Sequence, residues 1–226
     1  MNFNQINYLF HGLFLTNKYG IKLKKISDPL EKKRVRLEYS QKILSKLNVK
    51  INVDNPELLP QNGQYLLISN HRSIIDPLVI DVALQHSKIF GVWIAKKELY
   101  NSFFFGNAVR NGGTIRLDRE ENKVSTFFSD IKYWLKSGSS ICIFPEGTRN
   151  KTQKKLLKFK NGFRIIALKN RIPILPLYIK TNTEEVLKKG LRDSSRQQEI
   201  TVVIGKIIDY TEKNDLEITY RAMFDL

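Results

Sequence analysis

Tyr65-Leu66-Leu67-Ile68-Ser69-Asn70-His71-Arg72-Ser73-Ile74-Ile75-Asp76-Pro77, running on to Leu84, is the stretch from which the architecture unfolds. Tyr65 to Ser69 is a short apolar run with strand character. Asp76-Pro77 then opens a helix, an acidic cap with proline inside it. Further along, Ile89 to Ala95 reads as a strand and Lys97 to Val109 as a helix with Leu99, Phe103 and Phe104 apolar. Thr114 to Leu117 is a strand after Gly112-Gly113, and Val124, Phe127, Phe128, Ile131 and Leu135 form an amphipathic helix that Gly138 ends. Ser140 to Phe144 reads as a buried strand and Phe163 to Leu168 as a helix stopped before Pro173. Ile174 to Ile179 and Ile200 to Ile208 are two more strands. Strands alternating with helices predict an α/β fold: one domain over residues 51–226, with a mixed, largely parallel sheet flanked by helices. In such sheets function sits in the loops past the carboxyl ends of the strands.

Residues 1–50 differ in character. Phe3, Ile6, Phe10, Leu13 and Phe14 fall on one face of a helical spacing, and Asp28-Pro29 caps a second helix carrying Leu30, Val35, Leu37, Ile43, Leu44 and Leu47. From Lys18 to Lys50 there are 11 basic and 3 acidic residues. An amphipathic, aromatic-rich helix followed by a basic segment predicts contact with an anionic membrane surface. The competing reading is a helical pair packed on the core with a solvated basic face. The most apolar stretches, Tyr8 to Leu15 and Ile172 to Ile179, are 8 residues each, against the roughly 20 a bilayer crossing needs. The expectation is therefore a peripheral protein with no spanning helix and no signal peptide.

The 226 residues carry 38 Lys and Arg against 22 Asp and Glu, a net charge of +16. Such a chain meets phosphate in some form: nucleic acid, an anionic membrane or a phosphorylated small molecule. One cysteine excludes an internal disulfide, and Cys142 sits among Ile141, Ile143 and Phe144 as a small core residue. His11, His71, His86 and Cys142 lack ligand-like spacing, so no metal site is expected. Neither G-x-S-x-G, G-x-G-x-x-G nor G-x-x-x-x-G-K-[ST] occurs, which removes the nucleophile-elbow hydrolases and the two common nucleotide-binding loops. Nucleic-acid binding rests on charge alone, and the aromatics fall mainly at core spacing, which counts against it.

Four clusters carry chemistry. Asn70 to Asp76 pairs His71 with Asp76 across a loop, and a carboxylate on one ring nitrogen is what a histidine needs to act as a general base. Gly113 to Arg119 ends a strand on a guanidinium suited to a phosphate. Phe144-Pro145-Glu146-Gly147-Thr148-Arg149 offers backbone N–H groups, a hydroxyl and a fixed charge after a buried strand. From there to Arg171 are nine Lys or Arg and no acid. Glu146 fits an anion site only if it accepts hydrogen bonds from the loop or orients an Arg. Ile172 to Leu177 contains Pro173 and Pro176. Pro173 stops a helix and Pro176 suits an edge or a loop, with a wall of an acyl groove as a second role.

Together the four resemble the motif series of the glycerophospholipid acyltransferases, the 1-acyl-glycerol-3-phosphate acyltransferases and their relatives. Order, spacing and identity agree over about residues 50–180, and Phe144 to Arg149 matches letter for letter. The resemblance implies transfer of a fatty acyl chain from a thioester, acyl-CoA or acyl carrier protein, to the free hydroxyl of lysophosphatidic acid, giving phosphatidic acid with no further cofactor. His71 would be the base and Asp76 would orient it. Arg119, Glu146, Gly147, Thr148 and Arg149 would form the phosphate site, with Asn70, Ser73, Gly113 and Pro173 supporting the motifs. It further implies a peripheral protein on the cytoplasmic side of the membrane. Glycerol-3-phosphate or another lysolipid as acceptor stays open, as does a lipid-binding protein without catalysis.

Overall fold

A computed structural model describes residues 3–118 and 124–226, apart from the side chains of Phe3, Asn4 and Val124. The chain opens with two antiparallel helices, α1 (Phe3–Lys24) and α2 (Pro29–Lys46), and enters the sheet at β1 (Val49–Asp54). There follow β2 (Leu66–Ser69), α3 (Asp76–Ala83), β3 (Gly91–Lys96), α4 (Lys97–Tyr100), α5 (Gly106–Asn111), β4 (Thr114–Leu117) and α6 (Val124–Lys136). The last elements are β5 (Ser140–Ile143), α7 (Gly162–Asn170), β6 (Ile174–Ile179), α8 (Thr183–Arg192), β7 (Gln198–Ile204) and α9 (Leu216–Met223).

The seven strands form one sheet in the order β1-β7-β6-β2-β5-β3-β4. From β6 to β4 the pairings are parallel, β7 is antiparallel to β6, and β1 is parallel to β7. The sheet is therefore mixed and largely parallel, as the sequence predicts. Its central strands read as continuous apolar runs because both faces are covered. Leu67, Cys142, Leu175, Leu177 and Ile179 point into the core under α2, α3 and α8. Their neighbours Leu66, Ile68, Ile141, Ile174 and Tyr178 point into the core under α6, α7 and α9. This is the period-two alternation of a strand, hidden because each face has its own hydrophobic cover.

Three sequence expectations change. The strand β1 lies in the stretch 49–54, and its first two residues, Val49 and Lys50, fall in the segment read as N-terminal. It pairs with β7 some 150 positions away, from Val49 on Gln198 to Asp54 on Val203. The helix read over Lys97 to Val109 is two short ones, because Ser102 Oγ accepts the Phe105 N–H and starts the second afresh. Pro176, expected at an edge or in a loop, lies inside β6, a central strand. It is tolerated because the β6–β7 ladder runs over Leu177 to Ile179 and resumes at the isolated Ile174–Ile208 bridge, leaving Pro176 in the gap, where its carbonyl accepts from Gly205.

The N-terminal helices are built onto this frame. Gly20 lets α1 meet α5, since a Cβ there would stand 2.7 Å from the backbone of Asn107 and Ala108. Leu15, Tyr19 and Leu23 pack on Val35 of α2. Three cations of α2 turn inward. The buried Arg36 guanidinium pairs with Asp81 of α3, donates to the carbonyls of Gly91 (2.7 Å) and Gly112 (3.2 Å), and lies over the Phe90 ring. Lys32 Nζ donates to Leu23 O and Asn111 O, and Lys33 Nζ to Leu84 O and Ser87 O. Burial pushes the Lys33 ammonium down to about 8. Part of the basic stretch thus serves as carbonyl caps inside the protein. The apolar side of α1 faces the other way: Ile6, Leu9, Phe10, Phe14 and Ile21 are exposed. No helix among the described residues is long and apolar enough to cross a membrane.

Candidate active site

At the carboxyl end of β2 the chain leaves the sheet and turns through Asn70 to Ile75 before α3. His71 and Asp76 meet in that turn: His71 Nδ1–H donates to Asp76 Oδ2 at 2.7 Å. The Asp76 side chain is fully buried, while the imidazole keeps 18% of its surface. One partner is locked and the other is reachable.

The sequence reads Asp76 as a helix cap, and here the structure differs. Its carboxylate does not bond the first turn of α3. It reaches back into the loop and accepts the N–H groups of Arg72 (2.6 Å) and Ser73 (2.8 Å) on the same oxygen that faces His71. The other oxygen accepts the hydroxyl of Thr183 at the start of α8. Asn70 fastens the near end of the loop, since its carboxamide accepts the N–H of Ile179 (2.8 Å) and donates to the Ile179 carbonyl (3.0 Å). Ser73 contributes its backbone, and its buried hydroxyl makes no hydrogen bond among the described residues.

The loop after β5 closes over this turn. Phe144 stacks on the His71 ring with centroids 3.9 Å apart and planes 5° from parallel, and Trp93 stacks on the far side of Phe144 at 4.7 Å. Asn150 N–H donates to the His71 carbonyl, and the Arg72 guanidinium donates to the carbonyls of Thr152 (3.1 Å) and Lys154 (2.6 Å). The imidazole is thereby held by its ring nitrogen, its face and its own backbone.

Glu146 takes the first of the two roles the sequence left open for it, accepting hydrogen bonds from the loops. Only 2% exposed, it is turned inward, and its two oxygens accept the N–H of His71 (2.7 Å) and of Leu157 (2.8 Å). Burial raises its carboxyl to about 7, in spite of those two N–H groups and the nearby Arg72 charge. It organises the loops and makes no surface for a phosphate. Gly147, at φ +68°, supplies the left-handed turn, and its N–H donates to the Phe144 carbonyl rather than facing an anion. Thr148 and Arg149 are exposed at the rim beside Asn150. Arg119 lies outside the described residues. Gly113 and Pro173 precede β4 and β6, at the amino ends of the parallel strands and hence the opposite edge of the sheet. There Gly113 turns at φ +79° against the Phe90 ring, and the Pro173 carbonyl accepts from Leu66.

Arg72, Phe144 as a stacking partner, Leu157 and Thr183 escape the sequence reading. Arg72 stands inside the Asn70–Asp76 motif and Phe144 opens the Phe144–Arg149 motif, so membership of a motif could have flagged both. Nothing in the sequence ties Leu157 or Thr183 to residue 71 or 76.

The family model described as Acyltransferase matches residues 50–180. A 1-acyl-sn-glycerol-3-phosphate acyltransferase of Helicobacter pylori is 39% identical over 118 residues, covering 52% of this chain and 48% of its own. The Streptococcus pneumoniae protein of that name is 28% identical over 171 residues, 75% of this chain and 60% of its own. The human alpha form is 29% identical over 157 residues, 69% and 54%. This chain thus spans about half to two thirds of the length of the curated relatives it matches. The crystal structure of the 1-acyl-sn-glycerophosphate (LPA) acyltransferase PlsC from Thermotoga maritima has the same fold, with a TM-score of 0.69 at 20% identity over 98% of this chain and 94% of that one. With its His71–Asp76 turn and its Phe144 to Arg149 loop inside the matched span, the chain belongs to the Acyltransferase family.

Proposed function

We propose that the protein transfers a fatty acyl chain from a thioester, acyl-CoA or acyl carrier protein, to the free hydroxyl of lysophosphatidic acid, giving phosphatidic acid. The observation that carries the reading is the partly exposed imidazole held by a fully buried carboxylate. With Nδ1 engaged by Asp76, Nε2 is the nitrogen that meets the acceptor. It takes the hydroxyl proton as the oxygen attacks the thioester carbonyl. The C–S bond breaks, a C–O bond forms, and the thiolate leaves with the proton from the imidazolium. The step balances with the two substrates alone, and no acyl-enzyme forms. Arg119, Thr148 and Arg149 hold the acceptor phosphate, with a guanidinium fork suited to paired oxygens. The relatives named above support lysophosphatidic acid as acceptor.

The protein works on the membrane surface, at its cytoplasmic side. The site opens at the carboxyl edge of the parallel strands. Past β3 at that edge stands Phe103, 89% exposed, and the neighbouring Phe104 ring lies 3.4 Å from where a Cβ on Gly12 of α1 would be. The outward apolar residues in the first half of α1, Ile6, Leu9, Phe10 and Phe14, thus flank the same edge as the dyad. Both lipids reside in the bilayer, so an apolar rim brings the site to them.

The test is acyl transfer by the purified protein with anionic liposomes, lysophosphatidic acid and a long-chain acyl thioester, on coenzyme A and on acyl carrier protein in parallel arms. His71→Ala is expected to lose at least about 10²-fold in rate while staying folded. A folded His71→Ala variant with near-normal turnover overturns the assignment of the base. A wild type silent with both donors and with glycerol-3-phosphate or other lysolipids as acceptor overturns the reaction.

A further inference from the structure

Asp76 reaches a fully buried position with two carboxylate oxygens to satisfy, and the catalytic loop satisfies only one. Oδ2 accepts from the His71 ring and from the N–H groups of Arg72 and Ser73, all within the turn. Oδ1 points away from that turn and accepts from Thr183 Oγ1 at 2.5 Å, a residue 107 positions later in the chain. Thr183 is itself 1% exposed and opens α8. A threonine at a helix start ordinarily turns its hydroxyl to the helix's own amides. Here Asn182 does that, its side chain accepting from the Glu185 N–H, and the Thr183 hydroxyl is left for Asp76. The same junction between β6 and α8 brackets the other end of the loop, where Asn70 bonds both backbone groups of Ile179.

We infer that Thr183 is a positioning residue for the acyl transfer, setting the orientation and the charge of Asp76 and through it those of His71. The inference rests on the reading of His71 as the base. Without the hydroxyl, Oδ1 is a buried carboxylate oxygen with no donor. The carboxylate then either rotates toward another donor, and the imidazole loses its fixed orientation, or draws more strongly on His71. A misplacement of this size acts on the rate and leaves substrate binding alone. The charged groups beside the pair, Arg72 and Glu146, are untouched by a change at Thr183.

Thr183→Val removes the hydroxyl at nearly constant volume, and Thr183→Ser keeps it. Thr183→Val is expected to lower kcat by about tenfold or more with both KM values within about twofold of wild type. The acid limb of its rate–pH profile moves to higher pH, because a carboxylate with one donor fewer holds the imidazolium longer. Thr183→Ser restores rate and profile. A second readout is independent of the reaction: the Nδ1–H proton resonance of His71, identified by its loss in His71→Gln, is expected to be sharp in wild type and Thr183→Ser and displaced or broadened in Thr183→Val. Wild-type rate, profile and resonance in Thr183→Val overturn the inference. So does a Thr183→Ser variant as impaired as Thr183→Val, which would show that the methyl group matters instead. If Thr183→Val does not fold, Thr183→Ser against Thr183→Cys makes the same comparison. If wild type transfers no acyl group, the proposed reaction fails while the resonance still decides the role of Thr183.

Discussion

Two carboxylates within one loop cluster show how partners decide what a buried acid does. Asp76 has four donors, one of them the His71 imidazole. Glu146 has two backbone donors and little else, and burial lifts it to about 7. The consequence for stability has a definite sign. Its folded value lies above its ordinary 4.5, so the native state binds more protons between about 4.5 and 7. The contribution of this group is complete at the acid end of that window and is lost as pH rises through it, by up to about 3 kcal/mol. Wild type is therefore expected to hold its largest stability advantage over Glu146→Gln near pH 5 and to lose part of it by pH 7.5. Urea denaturation of both proteins at the two pH values measures this, and an advantage that grows with pH would refute it. His71 and Asp76 are legible as a pair because they are five residues apart and share one turn. The inward role of Glu146 is not, since its partners His71 and Leu157 stand 75 and 11 positions away.

At the scale of elements, α2 carries two Arg–carboxylate pairs of opposite kind. Arg34 and Glu31 are an exposed pair one turn apart, and Arg36 and Asp81 join two helices in the interior. The composition of the segment treats these cations alike. Packing does not. Arg36→Ala takes their partner from the Asp81 carboxylate and from the carbonyls of Gly91, at the start of β3, and Gly112, at the end of α5, and is expected to lower stability by about 3–5 kcal/mol. Arg34→Ala is expected to change it by less than about 1 kcal/mol. Chemical denaturation of the two variants compares them directly, and equal effects would mean that α2 is not anchored through Arg36. The helix boundaries follow the same division. The Asp28 cap of α2 is visible in the sequence because it is local, its carboxylate accepting the Glu31 N–H at 2.7 Å. The edge strand β1 and the gap that admits Pro176 depend on pairing with β7, which no window of sequence contains.

For the molecule as a whole, the exposed apolar residues in the first half of α1, where Gly12 meets Phe104, and Phe103 border the edge on which His71 sits. Phe10→Ser, Phe14→Ser and Phe103→Ser combined are expected to reduce partition into anionic liposomes by at least about tenfold, given roughly 1.5–3 kcal/mol for a fully buried Phe. Turnover of a short-chain, water-soluble acceptor should stay near wild type. Flotation with liposomes checks the first and a detergent-free assay the second. Undiminished partition would assign this face to something other than lipid. The sequence by itself determined the alternation of strands and helices, the α/β class, the family motifs and the His71–Asp76 pair, because each is written in contacts a few residues long or in a periodicity that one face of an element imposes. Tertiary structure alone decided which cations of α2 face inward, that Glu146 braces the His71 loop, that Gly113 and Pro173 lie at the far edge, and that Thr183 completes Asp76. Those outcomes depend on which distant segments the sheet order brings together. Burial then fixes their chemistry, since a polar group removed from water must take whatever partner the fold places beside it.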